Sequence, residues 1–448
     1  MVWPNTGELD SLKVLIVSHN PITTYNNMGK TFMALFSAFS PDELCQLYLY
    51  PTLPDTDICR SYYRFTDMDA LRSVLDRRRV GETVTADLEQ HSLYASDKEE
   101  QVYSAPRNKT DMMRLGRDII WKLSNWNNPA LNEWIDLQAP DIVFAAVGMQ
   151  EMLYDMAMSI ARQRGLPLIA YICDDYYYSA PANGIIPKIR VKQLRRKIEE
   201  LMKASSLVVT ISQELKDSYS ETFSVRAETV MTCPLLNIRP YASSTGDAKK
   251  KRLIYMGNLS LGRDSSLLEL GEALHEVNNF SATGYSLDIY TGEKRPEILS
   301  KLSACPSIRL HGFVTGDEYK KVFDSADIFI HVESFEAENR ERVRYSVSTK
   351  IIECLASGRP LLAYGPADVA SIAYLRRNDC AALAQSHEEL FTIINDVLSD
   401  EQRLCELVGN AEKTAKREAE NSSRLHALFD SVLLEQSSPH NLKGREKK

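Results

Sequence analysis

The residues best suited to chemistry lie in the segment Ser346–Pro360, SVSTKIIECLASGRP. The small polar residues Ser346, Ser348 and Thr349 precede an apolar helical run, which Gly358 closes before Pro360 opens a strand. A helix start of this kind offers free backbone N–H groups and the positive end of the helix dipole, a setting that suits a diphosphate. Lys350 belongs to the same helix start, and Glu353 lies one turn further on. There its carboxylate could accept hydrogen bonds from ribose hydroxyls. The alternative is a capped helix with an ordinary surface glutamate.

Other candidate groups follow strands. In YMGNLSLGRD (255–264), Gly257 lets the backbone approach a phosphate and Arg263 offers a planar fork to its oxygens. The alternative for Arg263 is a solvated loop cation. Near the amino terminus, HNPITTYNNMGKT sets Gly29-Lys30-Thr31 at a helix start behind a strand. A P-loop would need glycine where this chain has Thr24, so that motif is rejected. The string ICDDYYYS (172–179) puts Asp174 and Asp175 at a strand end, where acids orient a hydroxyl, accept a proton or cap the next segment. Tyr176, Tyr177 and Tyr178 could stack on a ligand or pack a core. The run RVKQLRRKIEELMK (190–203) concentrates its cations at its start; it is either a solvated face or a dock for anionic headgroups.

The 346–360 string resembles the donor-binding helix of GT-B glycosyltransferases, especially the group 1 enzymes of glycosyltransferase family 4. Their helix carries a ribose-binding glutamate and ends in A-x-G-x-P, matched here by Glu353, Ala356, Gly358 and Pro360. The resemblance assigns Ser348, Thr349 and Lys350 to the donor's diphosphate. In the same family the glycine of the first C-terminal strand is followed by an arginine and, five residues on, by a lysine or arginine. This chain has Gly257, then Asn258 at the first basic position and Arg263 at the second, one positive charge fewer. HGFVTGDEY (311–319) is similar to the loop at the nucleotide base, with Phe313 and Val314 nearest. The family usually carries two glutamates eight positions apart, the first touching the donor sugar. Tyr345 stands at that place, while Glu333 of an ESF string lies twenty residues before Glu353. Either ENRERVRY (338–345) is an insertion or this branch dispenses with the carboxylate. Arg342 and Arg344 are candidates for the charge missing at Asn258, with solvated surface arginines as the rival. Gly29 matches a glycine in the loop that closes over acceptor and donor phosphate.

The resemblance therefore implies a hexosyltransferase-type enzyme of polysaccharide or glycoconjugate biosynthesis. Its donor would be a nucleoside-diphosphate sugar, a UDP-sugar first among them, and its acceptor a glycan or a lipid-linked sugar. Asp174 and Glu333 are the catalytic candidates; Gly257, Asn258, Arg263, Phe313, Val314, Arg344, Ser348, Thr349, Lys350 and Glu353 form the donor set; Gly29 and Asp175 lie on the acceptor side. No bound cofactor or metal is expected, Asp55–Asp57 being an isolated DTD in a loop. Retention follows from the resemblance alone, with the leaving diphosphate helping to deprotonate the acceptor on its own face. Two rivals stay open: a nucleotide-sugar epimerase of the same fold, and a non-catalytic subunit that binds a nucleotide or glycan.

The elements that must position these residues alternate short β-branched runs with amphipathic stretches, the pattern of parallel strands and crossover helices. Strands are expected at 14–18, near 44–49, from 142, from 167 and at 206–211. The pattern restarts at 252–256 and continues at 286–290, 307–311, 327–332 and 359–364. Residues 82–110 read as loop with some helix. The Pro- and Lys-containing stretch between the two series reads as a linker. The expectation is an α/β protein of two Rossmann-like doubly wound domains facing across a cleft. An acceptor domain would cover residues 1–236, a linker 237–251, and a donor domain 252–415. A C-terminal helix and tail, 416–448, could pack back on the first domain.

Composition narrows the class. The 448 residues are 44% hydrophobic and 25% charged with a net charge of −8. That length calls for two cores, and that charge argues against non-specific nucleic-acid binding. The amino terminus lacks a basic region followed by an apolar core, and no apolar run approaches the ~18 residues of a membrane span. The eight cysteines are scattered without a CxxC pair, so neither a zinc site nor a disulfide framework is expected. A reducing cytoplasmic setting fits, with peripheral membrane contact through 190–203 as a further expectation.

Overall fold

The computed structural model describes residues 12–77, 81–88, 111–178, 184–233, 237–241 and 250–437. It divides into two compact units, Met1–Thr232 with Asn421–Lys448, and Cys233–Glu420. Each is built on its own mostly parallel sheet.

The first unit contains β1 (Val14–Ser18), β2 (Leu44–Tyr48), β3 (Ser61–Arg64), β4 (Glu82–Val84), β5 (Ile142–Ala146), β6 (Leu168–Ile172), β7 (Leu207–Thr210) and β8 (Ala227–Thr229). The sheet order is β4-β3-β2-β1-β5-β6-β7-β8, parallel throughout except for the antiparallel β3–β4 pair. Every residue of β1, β2, β5 and β6 is buried, as parallel strands covered by helices on both faces require. The crossover between β5 and β6 is the helix Glu151–Arg164, which ends at Gly165 with φ 66°, a left-handed cap. Several elements were not legible beforehand: β3, β4, β8, and the helices Asp67–Leu75, Asp111–Leu123 and Pro129–Gln138. Strands of three or four residues carry too little alternation to stand out. Of the stretch 82–110, residues 82–84 form an edge strand, and 89–110 lie outside the described residues.

The second unit contains β9 (Lys250–Met256), β10 (Gly284–Tyr290), β11 (Ile308–His311), β12 (Ile328–Val332), β13 (Leu361–Tyr364) and β14 (Ala382–Ala384), all parallel, in the order β11-β10-β9-β12-β13-β14. Lys250 and Lys251 already belong to β9, so the linker expected over 237–251 is shorter than its composition suggested. Residues 242–249 lie outside the described residues. At its start, the backbone N–H of Arg239 donates to Ala356 O at 2.9 Å. Gly358, with φ 72°, follows the helix Thr349–Ala356 at the point where a Cβ would come within 2.2 Å of Pro240 O. Only glycine combines that conformation with that approach.

In each sheet the strand order reverses once, between β1 and β5 in the first unit and between β9 and β12 in the second. Open parallel sheets take ligands outside the carboxyl ends of the strands at such a reversal, because the crossovers there leave in opposite directions and open a crevice. The residues following β9 and β12 are those singled out in the sequence.

The chain passes between the units at Thr232–Cys233 and again at Glu420–Asn421. The helix Glu401–Ala419 buries Leu404 and Leu407 in the second core, whereas the helix Asn421–Ser437 buries Leu425, Phe429 and Val432 in the first. Phe429 has its ring centroid 5.8 Å from those of both Phe39 and Phe144. Ser422 Oγ donates to Leu35 O at 2.7 Å and accepts from Ala38 N at 2.9 Å, fixing the start of that helix. Truncating such a fully buried phenylalanine removes about 3–5 kcal/mol. The described tryptophans, Trp121, Trp126 and Trp134, all belong to the first unit, so their fluorescence reports it. Phe429→Ala is expected to lower the urea midpoint seen by tryptophan fluorescence, and an unchanged midpoint would exclude this helix from that core.

Candidate functional site

The site begins where β9 ends. The Tyr255 hydroxyl donates to Asn258 O at 2.7 Å, and a Cβ at position 257 would lie 2.8 Å from that hydroxyl, so the turn requires Gly257. The loop then reverses through Leu261 and Gly262, both at positive φ; a Cβ on Gly262 would meet Ser334 Oγ at 2.4 Å. This packs the loop against the segment leaving β12. Arg263 opens the helix Arg263–Asn278 and is held from two sides. Its Nη2 donates to Glu333 Oε2 at 3.0 Å and Oε1 at 3.3 Å, while its Nη1 donates to Asn258 Oδ1 at 3.2 Å.

Glu333 is only 3% exposed. Burial by itself would raise its carboxyl, but the neighbouring His331 and the Arg263 guanidinium outweigh that and hold it below the ordinary carboxylate value. His331 Nε2 lies 3.4 Å from Glu333 Oε1. Behind the carboxylate, Ser266 Oγ donates to Glu333 O at 2.9 Å, and a Cβ on Gly365 would come within 3.1 Å of Glu333 Cβ. The catalytic candidate Glu333 thus has its carboxylate paired with the Arg263 guanidinium, which it orients.

Asn258 looked like a lost charge. The structure instead brings Lys350 to this point from the facing helix, its Nζ donating to Met256 O at 2.8 Å. Withdrawal of the ammonium from solvent, with Arg263 nearby, lowers the Lys350 pKa against the opposing pull of Glu353 and Cys354. Arg342 pairs with Glu338 at 2.8 Å; Arg344 lies 3.8 Å from Glu341, its guanidinium 5.3 Å from the centroid of the Tyr345 ring.

Lys350 and Glu353 sit on the helix Thr349–Ala356, which forms because Ile351, Ile352, Leu355 and Ala356 make one buried face. Ser348 occupies its N-cap in extended conformation without a side-chain capping bond, and Thr349 is exposed beside it. Glu353 accepts a hydrogen bond from the Tyr319 hydroxyl at 2.8 Å, a partner that the sequence did not suggest. Phe313 and Val314 follow β11, and Phe313 is 74% exposed.

In the first unit, Gly29 lies inside the helix Asn27–Leu35, and a Cβ there would sit 2.4 Å from Thr23 O. Glycine thus lets the loop after β1 fold against its own helix. That loop is pinned by Gln46, which accepts from Ile22 N at 3.1 Å, and by Asp55, which accepts from Thr24 N at 2.8 Å. Asp174 is exposed at the end of β6. Asp175 is occupied: it accepts from the backbone N–H groups of Tyr177 at 2.9 Å and Tyr178 at 3.0 Å, so it closes a turn. Tyr177 packs edge-on against Tyr178 and Phe223, favouring the core alternative. Part of the basic run is engaged within the unit, with Arg190 on Asp118, Lys197 on Asp155 and Glu200, and Arg195 on Tyr177 O, while Lys192, Arg196 and Lys203 are exposed.

Among the described residues no group of three or more His, Cys, Asp or Glu could hold a metal ion. No described helix is long and apolar enough to cross a membrane.

A carboxyl whose pKa is depressed by folding contributes stability above its unfolded value and loses it as the pH falls through the folded value. For Glu333 that window opens below pH 4.5. Glu333→Gln is therefore expected to cost about 1–3 kcal/mol at pH 7 by calorimetry. The gap to the wild type should close on acidification below that window; a gap independent of pH would refute the pairing.

Residues 272–430 match the family model described as glycosyl transferase-like. No curated protein matched the chain in a sequence comparison. Among solved structures, sucrose-phosphate synthase of Thermosynechococcus elongatus superposes with a TM-score of 0.57 at 12% identity, covering 95% of this chain and 99% of that one. HepE of Anabaena, in complex with UDP and glucose, gives 0.57 at 12% identity with 94% and 100% covered. An E. coli trehalose-6-phosphate protein bound with UDP-2-fluoro glucose gives 0.55 at 9% identity, with 94% and 99% covered. Over nearly its whole length the chain shares the GT-B fold of these structures, and its residues 272–430 are similar in sequence to the glycosyl transferase-like family.

Proposed function

We propose that the protein transfers a hexosyl group from a nucleoside-diphosphate sugar to a glycan or lipid-linked acceptor, with retention. The observation that carries this reading is the pair of cations, Arg263 and Lys350, at the strand-order reversal beside an uncapped helix start. A diphosphate leaving group gains negative charge as the glycosidic bond breaks, and fixed cations and N–H dipoles stabilise that charge most when they need not reorganise. Glu333 and Asn258 hold the Arg263 fork in advance. In this reading the N–H groups after Ser348 and Thr349 also face the diphosphate, Glu353 receives ribose hydroxyls, and Phe313 and Val314 border the base. A UDP-sugar is the first candidate, since the HepE and E. coli structures contain UDP or a UDP-sugar analogue.

The acceptor would bind the first unit near the Gly29 loop, with Asp174 orienting its hydroxyl. The bond from the sugar's anomeric carbon to the diphosphate oxygen breaks, and the acceptor oxygen bonds to that carbon on the same face. The acceptor's proton passes to the departing diphosphate. Asp174→Asn is expected to lower kcat at least tenfold while leaving nucleotide affinity unchanged; an equal loss of affinity would move Asp174 to the donor.

A second reading, a non-catalytic binding subunit, has support in Asn258 and Tyr345, which stand where the family has a basic residue and a glutamate. A thermal-shift screen with UDP, GDP, ADP, CMP and UMP addresses both. Ligand at a hundred times its Kd adds about 2.7 kcal/mol, or roughly 5–11 °C for a domain of 150–250 residues. One nucleoside diphosphate should stabilise the wild type but neither Arg263→Ala nor Glu353→Ala. No shift with any of them would sink the donor reading. A shift without sugar release or transfer from the matching nucleotide sugar would favour the binding subunit.

A further inference from the structure

A groove of about 220 Å³ runs between the helices Gly316–Asp324 and Thr349–Ala356, with Tyr319, Phe323, Asp324, Glu353, Ser357 and Arg239 on its walls. Its two helices are joined across it by the Tyr319–Glu353 hydrogen bond, and Arg239 Nη1 pairs with Asp324 at its rim at 2.6 Å. Tyr319 lies one helical turn beyond the loop that bears Phe313 and Val314. Its ring stacks on Phe323 with centroids 6.0 Å apart and an interplanar angle of 28°, so the hydroxyl has little freedom to look elsewhere. Burial, and the adjacent Glu353 charge, raise the Tyr319 pKa well above the ordinary phenol value, so it remains a donor at any physiological pH. Tyr319 engages Glu353 Oε2, and among the described residues no hydrogen bond occupies Oε1.

We infer that Tyr319 is a positioning residue: it locks the Glu353 carboxylate so that one oxygen faces the groove as an acceptor for a ribose hydroxyl. The inference rests on the donor reading above and names the residue that makes the nucleotide site selective for a ribonucleotide. An unheld glutamate would have to give up rotamer freedom on binding, whereas a glutamate already fixed by a phenol donates its full acceptor strength to the ligand. Discrimination follows from the same geometry, because a ligand lacking the hydroxyl leaves a fixed carboxylate oxygen unpaired in a partly desolvated groove.

The test is isothermal titration of the full chain with UDP and with 2′-deoxy- and 3′-deoxy-UDP, in the wild type, Glu353→Gln and Tyr319→Phe. The phenylalanine keeps the ring that stacks on Phe323, and a melting temperature near that of the wild type checks that it folds. The wild type should prefer UDP over at least one deoxy analogue by tenfold or more. Tyr319→Phe should weaken UDP by about five- to tenfold, leave that analogue nearly unchanged, and so collapse the preference, as Glu353→Gln does. A merely structural tyrosine would weaken all three ligands together, and that result overturns the inference, as does a Tyr319→Phe variant with undiminished preference. Should Tyr319→Phe not fold, Tyr319→Trp, which keeps an aromatic ring but moves the donor, serves the same comparison. If the wild type binds UDP without preferring it over either analogue, the ribose role of Glu353 fails and this inference with it. If no nucleoside diphosphate binds the wild type, the donor reading itself has failed.

Discussion

The second unit depends on one buried ion pair. Glu333, 3% exposed, could not remain charged there without a partner, and Arg263 is that partner. The pair ties the loop after β9 to the segment after β12, the two strands between which the sheet order reverses. Around it the chain leaves no slack: Gly262 and Gly365 stand where any side chain would strike Ser334 or Glu333. An arginine so placed is not a surface cation waiting for a ligand. It is a fork already aimed, whose cost of ordering is met by folding.

The first unit treats the equivalent place differently. The loop after β1 is held by the buried amide of Gln46, by Asp55 and by the Asn26 cap on Gly29, rather than by an ion pair. In its basic helix, Ile185–Ala204, Arg190 and Lys197 pair with neighbouring acids and Arg195 donates to Tyr177 O. The same sheet topology thus carries two electrostatic characters. One gathers the cations Arg263 and Lys350 beside the strand-order reversal, and the other holds its loop by amides and carboxylates and leaves Asp174 exposed.

Much of this was visible in the residues. Parallel strands covered on both faces must be continuous apolar runs, so β1, β5, β6, β9 and β12 stood out, as did the helix end at Gly358. The short edge elements β3, β4, β8 and β14 did not, because three or four residues carry no period. The turn of the chain back to the first unit at Asn421 also lacked a local signal. It is set by which core the apolar faces of two successive helices happen to match, Leu404 and Leu407 in one, Leu425 and Phe429 in the other.

At the site, the sequence by itself determined the parts whose chemistry is local: a glycine where the backbone must turn tightly, a small-residue helix start, a glutamate one turn in, an arginine behind the loop. What only the tertiary structure decided is which side chains meet. Asn258 read as a missing charge because the resembled family carries an arginine there, yet Lys350, ninety-two positions away, reaches the end of β9 beside it. Glu333 read as a ligand-facing acid, yet the fold puts it under Arg263; Tyr319 read as nothing in particular, yet it holds Glu353. The physical reason is common to all three. Backbone conformation is governed by residues a few positions apart, whereas a carboxylate's partner, its burial and hence its charge are set by segments that become neighbours only when the sheet assembles.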